Sequence, residues 1–350
     1  MDTSRWHFEL WSPTGVLLAD LAGRAKNRRI TQSRNRAEEM VWQVGLDDFE
    51  TYANAMNVDP NTLVVPGATE VRIRRGSKYI CGGQLTYVSP VITDQSQDME
   101  LRASGFLTLF GDRFTAARRE FTATEATTIY STLITESQTG TNASFGVTIG
   151  SLATVGAHDK TFKSEKLQDA IERGCELFDF DHEFTYDKVF NTYSSIGSRR
   201  PEIVFEYPGT IRAIRAPIDA TNLKNRIYVL GSGAGDQGNA TVQVDDANSQ
   251  INYKVREERL NFSDVEDLTD LTNHGNSELS AWSYPFQIPG LEVDGNLPPY
   301  VTDYGIGDYV NVKCNNYAML RQINGMYRIE KREILIDEND RETIRLYMSI

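Results

Sequence analysis

The stretch Gly307-Asp308-Tyr309-Val310-Asn311-Val312, followed by Tyr327-Arg328-Ile329 and Ile344-Arg345-Leu346-Tyr347, decides the reading of the fold. It reads as a turn, a strand, a second strand and a closing strand. The Gly-Asp pair makes a sharp entry, because glycine tolerates positive φ and aspartate hydrogen-bonds nearby backbone. Gly325 to Ile336 carries strand chemistry throughout. Asp337-Glu338-Asn339-Asp340 is a polar turn before the last strand. On this reading the chain is expected to end on a folding element, with no tail, anchor or further domain after Ile350.

Working outward, the same grammar recurs at the other end. Trp6, Phe8 and Leu10 alternate, Ser12-Pro13-Thr14-Gly15 turns, and Val16-Leu17-Leu18 returns, which predicts a hairpin over 5–20. Val41-Trp42-Gln43-Val44 is a strand. Asp47, with Glu50 in the capping-box position, predicts a short helix. Val71-Arg72-Ile73-Arg74 turns through Arg75-Gly76-Ser77 into Tyr79-Ile80-Cys81-Gly82-Gly83, and Leu85–Val91 and Met99–Leu107 continue the pattern. Residues 1–120 therefore read as a small barrel or sandwich with one helix.

Composition then shifts. Thr122-Ala123-Thr124-Glu125 reads as a capping box before a helix whose face is Ala126, Ile129, Tyr130, Leu133 and Ile134. Ser164 is the expected cap of a second helix with Leu167, Ala170, Ile171 and Cys175 inward. Phe180–Tyr186 and Lys188–Tyr193 form a hairpin turning at Asp187. Residues 121–200 are thus an α+β insertion between β-rich parts. Strands resume at Ile203–Tyr207, Ile211–Ile214 and Arg226–Leu230. A third helix is expected after a Ser263 cap with Glu266, turning Val265, Leu268, Leu271, Leu279 and Trp282 inward, with Gly275 weakening its middle. The closing strands complete a second β unit. The fold class is mainly β with an α+β insertion.

Composition sets limits. Net charge is −13, from 36 basic and 49 acidic residues, which disfavours a general nucleic-acid binder. No apolar run approaches a membrane span, and Met1–Arg5 does not open a signal peptide. Cys81, Cys175 and Cys314 are far apart and odd in number, so neither a disulfide framework nor a zinc site is expected, and reduced thiols fit cytosolic synthesis.

Candidate chemistry is sparse. The run Gly231-Ser232-Gly233-Ala234-Gly235 lacks the Lys-Ser/Thr pair and following helix of a phosphate loop, and reads as a plain linker or hairpin loop. Asp179, Asp181 and Glu183 would share one strand face; a metal or acid/base site is conceivable there, but a solvated face is the preferred reading. His7, His158, His182 and His274 are scattered without zinc-peptidase spacing, and no Gly-x-Ser-x-Gly turn occurs. The basic segment 24–36 lacks interleaved aromatics. It reads as a solvated loop by default, or as a loop or strand gripping an acidic partner protein. No catalytic, cofactor-binding or metal-ligating residue is assigned.

The order of elements resembles the baseplate or tail-tip hub proteins of long-tailed bacteriophages. The resemblance is carried by the hairpin Val71–Leu85, by Ala103-Ser104-Gly105-Phe106-Leu107-Thr108-Leu109-Phe110-Gly111-Asp112-Arg113, by the helix 164–177 leading to the hairpin 180–193, and by Gly307-Asp308-Tyr309-Val310 with Tyr327-Arg328-Ile329. It implies two tail-tube-like β-barrel domains plus a smaller inserted domain. The first barrel would span 1–120, completed by strands in 201–230; the insertion 121–200; the second barrel 231–350, with one helix. It further implies a homotrimer with pseudo-sixfold symmetry at the tail tip of a virion. The implied partners are the distal tail protein or tail-tube ring, the tape-measure protein, and tip spike or receptor-binding proteins, with phage DNA passing without specific binding. No enzyme activity and no cofactor are implied. A conduit of this kind is expected to present negative charge to DNA. The competing expectation is a cell-wall hydrolase using the acids of 179–183, and a carbohydrate-binding module is the third.

Overall fold

The structure is a computed structural model that describes residues 6–94, 96–231, 241–262 and 268–350. The Ser263–Glu266 cap, Val265 and most of the Gly-rich run lie outside the described residues. Two compact units are present: residues up to Ile214 together with Gly290–Ile350, and Arg215–Pro289.

The larger unit is built on a thirteen-stranded sheet. The closing segment forms the strands Tyr309–Cys314, Gly325–Ile336 and Glu342–Ser349, as its pattern predicts. Gly325–Ile336 pairs on one side with Glu342–Ser349 and on the other with Lys26–Ser33, where Ile334 faces Ile30. The two ends of the sequence therefore meet in the middle of one sheet. Alternation does the sorting: Ile30, Met40, Trp42, Leu101, Ile334, Ile344 and Leu346 are at most 1% exposed. The hairpin Trp6–Trp11 with Leu17–Asp20 adds Trp6, Phe8 and Leu10 to the buried set. Each such side chain contributes roughly 1.5–3 kcal/mol by leaving water.

The Gly-Asp entry is tighter than its sequence suggests. Gly307 has φ +85° and Gly197, facing it, has φ +86°. A Cβ on Gly307 would lie 2.2 Å from the Ile196 carbonyl oxygen, and one on Gly197 would lie 2.1 Å from the Gly307 carbonyl carbon. Asp308 then bridges the gap: its carboxylate accepts from Ser198 N and Gly305 N, both at 2.8 Å.

Residues 106–190 supply a second core within the same unit. Helix Ala126–Ser137 buries Ile129, Tyr130, Leu133 and Ile134, and helix Leu167–Phe178 buries Leu167, Ala170, Ile171 and Cys175, the faces read from their spacing. Both close on Phe184 and Phe190 of the hairpin Asp181–Phe184 with Val189–Tyr193. The expected caps are not formed. Thr122–Glu125 belongs to the strand Arg119–Glu125, and Glu125 takes the cap position while its carboxylate binds Val155 N and Gly156 N. Lys166, not Ser164, precedes the second helix, and Gly45, not Asp47, precedes the helix Leu46–Ala55. In each case pairing of the preceding chain fixes the boundary before a side chain can.

In the smaller unit, Arg226–Leu230 pairs antiparallel with Thr241–Asp245 and parallel with Glu257–Asn261. The two strands flanking the Gly-rich run are thus hairpin partners. Helix Leu268–Trp282 packs on them through Leu271 and Leu279, whereas Leu268 is exposed. Gly275 marks the closest approach, since a Cβ there would lie 2.7 Å from Val229. Its glycine lets helix and sheet touch. Among the described residues no helix is long and apolar enough to cross a membrane.

Replacing Gly307 by alanine should destabilise the protein by about 3 kcal/mol or more, through a strained φ and a collision with backbone. Denaturant unfolding would measure it, and a variant within error of wild type would contradict the packing described.

Candidate functional site

Opposite the apolar face, the sheet presents a charged open face. Its side chains are the alternate residues of the same strands. Glu292 meets Arg345 at 3.2 Å and Arg345 meets Glu333 at 3.8 Å, so charge alternates from strand to strand. Lys331 lies 3.0 Å from Glu333 and over the Tyr347 ring. Arg102 pairs with Glu100 at 2.6 Å and covers Tyr87. A trough of about 1020 Å³ runs over this face. Six arginines line it (Arg28, Arg29, Arg102, Arg212, Arg341, Arg345) against four carboxylates (Glu39, Glu100, Glu292, Asp337). The chain's −13 is therefore not concentrated on this face. Such pairs are worth little individually in water and act as a register ladder instead.

The most elaborate cluster is buried in the same unit, at Asp181. Its Oδ1 accepts from Asn35 Nδ2 at 2.7 Å and Arg34 Nη1 at 3.1 Å. Its Oδ2 accepts from Ile196 N at 2.8 Å and Arg328 Nη2 at 2.9 Å. Arg328 also donates to the Ile196 and Gly307 carbonyls, and Arg34 continues to Glu330 at 2.8 Å. Asn35, at φ +55°, adds a bond from His182 N. Burial alone would raise the Asp181 pKa; the four donors outweigh it and hold the carboxyl below its ordinary value. The solvated three-acid face expected for this strand is thus corrected. Asp179 is the exposed left-handed C-cap of the preceding helix, outside the strand, Asp181 is buried, and Glu183 is exposed, bonded by the Tyr193 hydroxyl.

The basic segment is corrected too. It is not a solvated loop: Lys26–Ser33 is an interior strand, and four arginines of the segment meet acids of their own chain. Arg24 pairs with Asp48, Arg28 with Asp340, Arg34 with Asp181 and Glu330, and Arg36 with Glu172 and Glu176.

The remaining candidates offer no reactive set. His7, Glu9 and Asp20 converge, but Arg74 lies among them, 2.6 Å from Glu9 and 2.9 Å from His7 Nδ1. Its guanidinium supplies the positive charge a metal would bring. Cys175 Sγ touches His182 Nδ1 at 3.3 Å. Burial pushes that thiol well up and the imidazole down to about 4, so both are neutral and neither is primed as a nucleophile pair. His158 packs on Phe178 and His274 stacks on Phe262. All three cysteines are free and buried.

No protein-family model and no curated protein sequence matches the chain. Solved structures do, over nearly the whole length. The 43 kDa tail protein of prophage MuSo2 from Shewanella oneidensis is 12% identical, with a TM-score of 0.71 over 98% of both chains. The fold is that of the phage tail proteins. A tail protein from Neisseria meningitidis MC58 is likewise 12% identical, with a TM-score of 0.70 over 99% of this chain and 96% of that one. A component of the Escherichia coli type VI secretion system, described as structurally similar to the T4 phage tail proteins gp27 and gp5, is 8% identical. Its TM-score is 0.57 over 93% of this chain and 73% of that one. The resemblance read from the order of elements, and the mainly β class, hold at the level of fold.

Two measurements check the buried cluster. Asp181→Asn leaves Arg328 buried without its counter-ion and should cost about 3–5 kcal/mol in denaturant unfolding. Because the Asp181 pKa is depressed, its contribution is present above the unfolded value of about 3.9 and is lost as pH falls below it.

Glu38 behaves oppositely. Burial raises its carboxyl to about 7, with Glu183 adding to the rise. The fold favours the protonated form, so its contribution is full below about 4.3 and is lost as pH rises toward 7. Glu38→Gln should match wild type at pH 4 and exceed it at pH 8 by on the order of 1 kcal/mol.

Proposed function

We propose that the protein is the structural hub of a phage tail tip. Three copies close a ring at the end of the tail tube, hold the tip or receptor-binding proteins, and leave a path for DNA during ejection. The distal tail protein or tube ring adjoins it on one side, and the tape-measure protein reaches it through the lumen. In this reading 1–120, completed by strands in 201–230, and 231–350, with one helix, are the two tube-like barrels, and 121–200 is the inserted domain.

One observation carries the reading: a fold likeness to phage tail proteins that covers 98% of this chain and 98% of the Shewanella protein. Likeness to a secretion-system component points the same way, toward a structural part of a contractile or tail-like apparatus. The site chemistry supports a structural role over the hydrolase reading. Of the acids of 179–183 that reading invokes, Asp181 is buried with both oxygens engaged in four hydrogen bonds, an arrangement that favours a structural role for it.

Cryo-electron microscopy of purified particles should place three copies in one ring at the tail tip. A sixfold ring with one chain per subunit would overturn the trimer. Purified protein should leave host peptidoglycan intact, and release of soluble fragments would revive the hydrolase.

A further inference from the structure

The smaller unit carries a cleft that no part of the tail-hub reading uses. It measures about 430 Å³ and is lined by Pro217, Asp219, Asn222, Leu223, Trp282, Tyr284 and Ile288. Leu223 is buried and Trp282 is packed against the local core, so the floor is fixed. Tyr284 is 40% exposed, and Ile218, between two lining positions, is 56% exposed. Apolar surface of this kind continues past the cleft mouth. A small ligand would leave that rim in water, whereas a polypeptide lying across it would cover both.

Charge narrows the partner. Among the described residues Asp219 is the carboxylate of the lining, and no lysine or arginine lines the cleft. Asp219 accepts from Thr221 N at 2.8 Å, which orients one oxygen and leaves the carboxylate exposed. Asp246 lies close enough to Tyr284 that, after burial, its charge helps raise the phenol above its ordinary value. Asp219 in the lining and Asp246 near Tyr284 put acidic groups at the rim. The Asn222 carboxamide is exposed beside it, a donor and acceptor suited to a peptide backbone.

We infer that this cleft docks a segment of a neighbouring tail polypeptide that inserts an apolar side chain flanked by lysine or arginine. The inference rests on the structural-hub reading for the neighbour's presence. Trp282 and Leu223 take the apolar anchor, and Asp219 meets the flanking cation.

The test is photo-cross-linking in assembled particles carrying Tyr284→p-benzoylphenylalanine. Mass spectrometry should find the cross-link on a different tail protein, at a peptide with a basic residue beside an apolar one. Adding Asp219→Lys should cut the yield about tenfold or more, since a like charge now faces the segment. Protein present in the particle but uncross-linked from position 284 overturns the inference and leaves the hub reading standing. So does a cross-link to a second copy of this chain or to an acidic segment. Absence of the protein from particles overturns both.

Discussion

The Asp181–Arg328 pair is the joint on which the larger unit depends. Arg328 sits on the strand Gly325–Ile336, in the body of the sheet, and Asp181 opens the hairpin of the second core. Around them the network reaches the bend at Arg34 and Asn35, the loop at Ile196, and the Gly307 entry. Two cores that could each pack alone are locked in one relative placement. Apolar contact would give adhesion between them, but it is non-directional. Charged hydrogen bonds of fixed geometry select one arrangement, because a slipped alternative leaves ions buried and unpaired. The Gly197–Gly307 contact acts in the same place by steric means. Only two residues without Cβ let the loop approach closely enough for Arg328 to reach its carbonyls.

Much of the fold was legible because period-two alternation and glycine-bearing turns are local signals. The closing strands, the first hairpin and the hairpin Val71–Leu85 read correctly from residues a few positions apart. The helical faces of 126–134 and 167–175 did too, since a 3.6-residue period needs no tertiary knowledge. The caps failed for a shared reason. Ser, Thr and Asp near a helix start are cap candidates only if the preceding chain is free, and here strand pairing or a tertiary turn had already claimed it. Leu268 failed because a helix end can turn an apolar residue outward when the sheet beneath it stops.

The site was not legible. Asp181 meets partners 147 residues away in both directions, at Arg34 and Arg328, and no spacing announces such a pair. Alternation of Phe180, His182 and Phe184 with Asp181 and Glu183 suggested one wet face. The sheet and bend instead cover the first acid of that face and leave the second in water. The basic run 24–36 misled in the same way. Four of its arginines looked unpaired because their acids lie at 48, 172, 176, 181, 330 and 340. A sequence shows charge density but not counter-ion placement, and within a strand that difference separates a binding surface from a structural ladder.

The order of assembly follows from where the sheet closes. Lys26–Ser33 is an interior strand whose one neighbour, Glu39–Gly45, is near in sequence and whose other, Gly325–Ile336, is some 300 residues on. Until that late strand arrives, Ile30 and Gln32 present an unpaired edge with apolar surface beside it, a template for wrong pairing. The cations on this stretch work against that. Lys26 and Arg29 are exposed on the strand, and charged edge residues discourage association of identical chains. When Gly325–Ile336 enters, Arg332 reaches Gln32 at 2.8 Å and Arg28 finds Asp340, contacts made by the residues that alternate with those exposed cations. One strand thus carries both exposed cations that guard the open edge and, at Arg28 and Gln32, the groups that fix its register after closure.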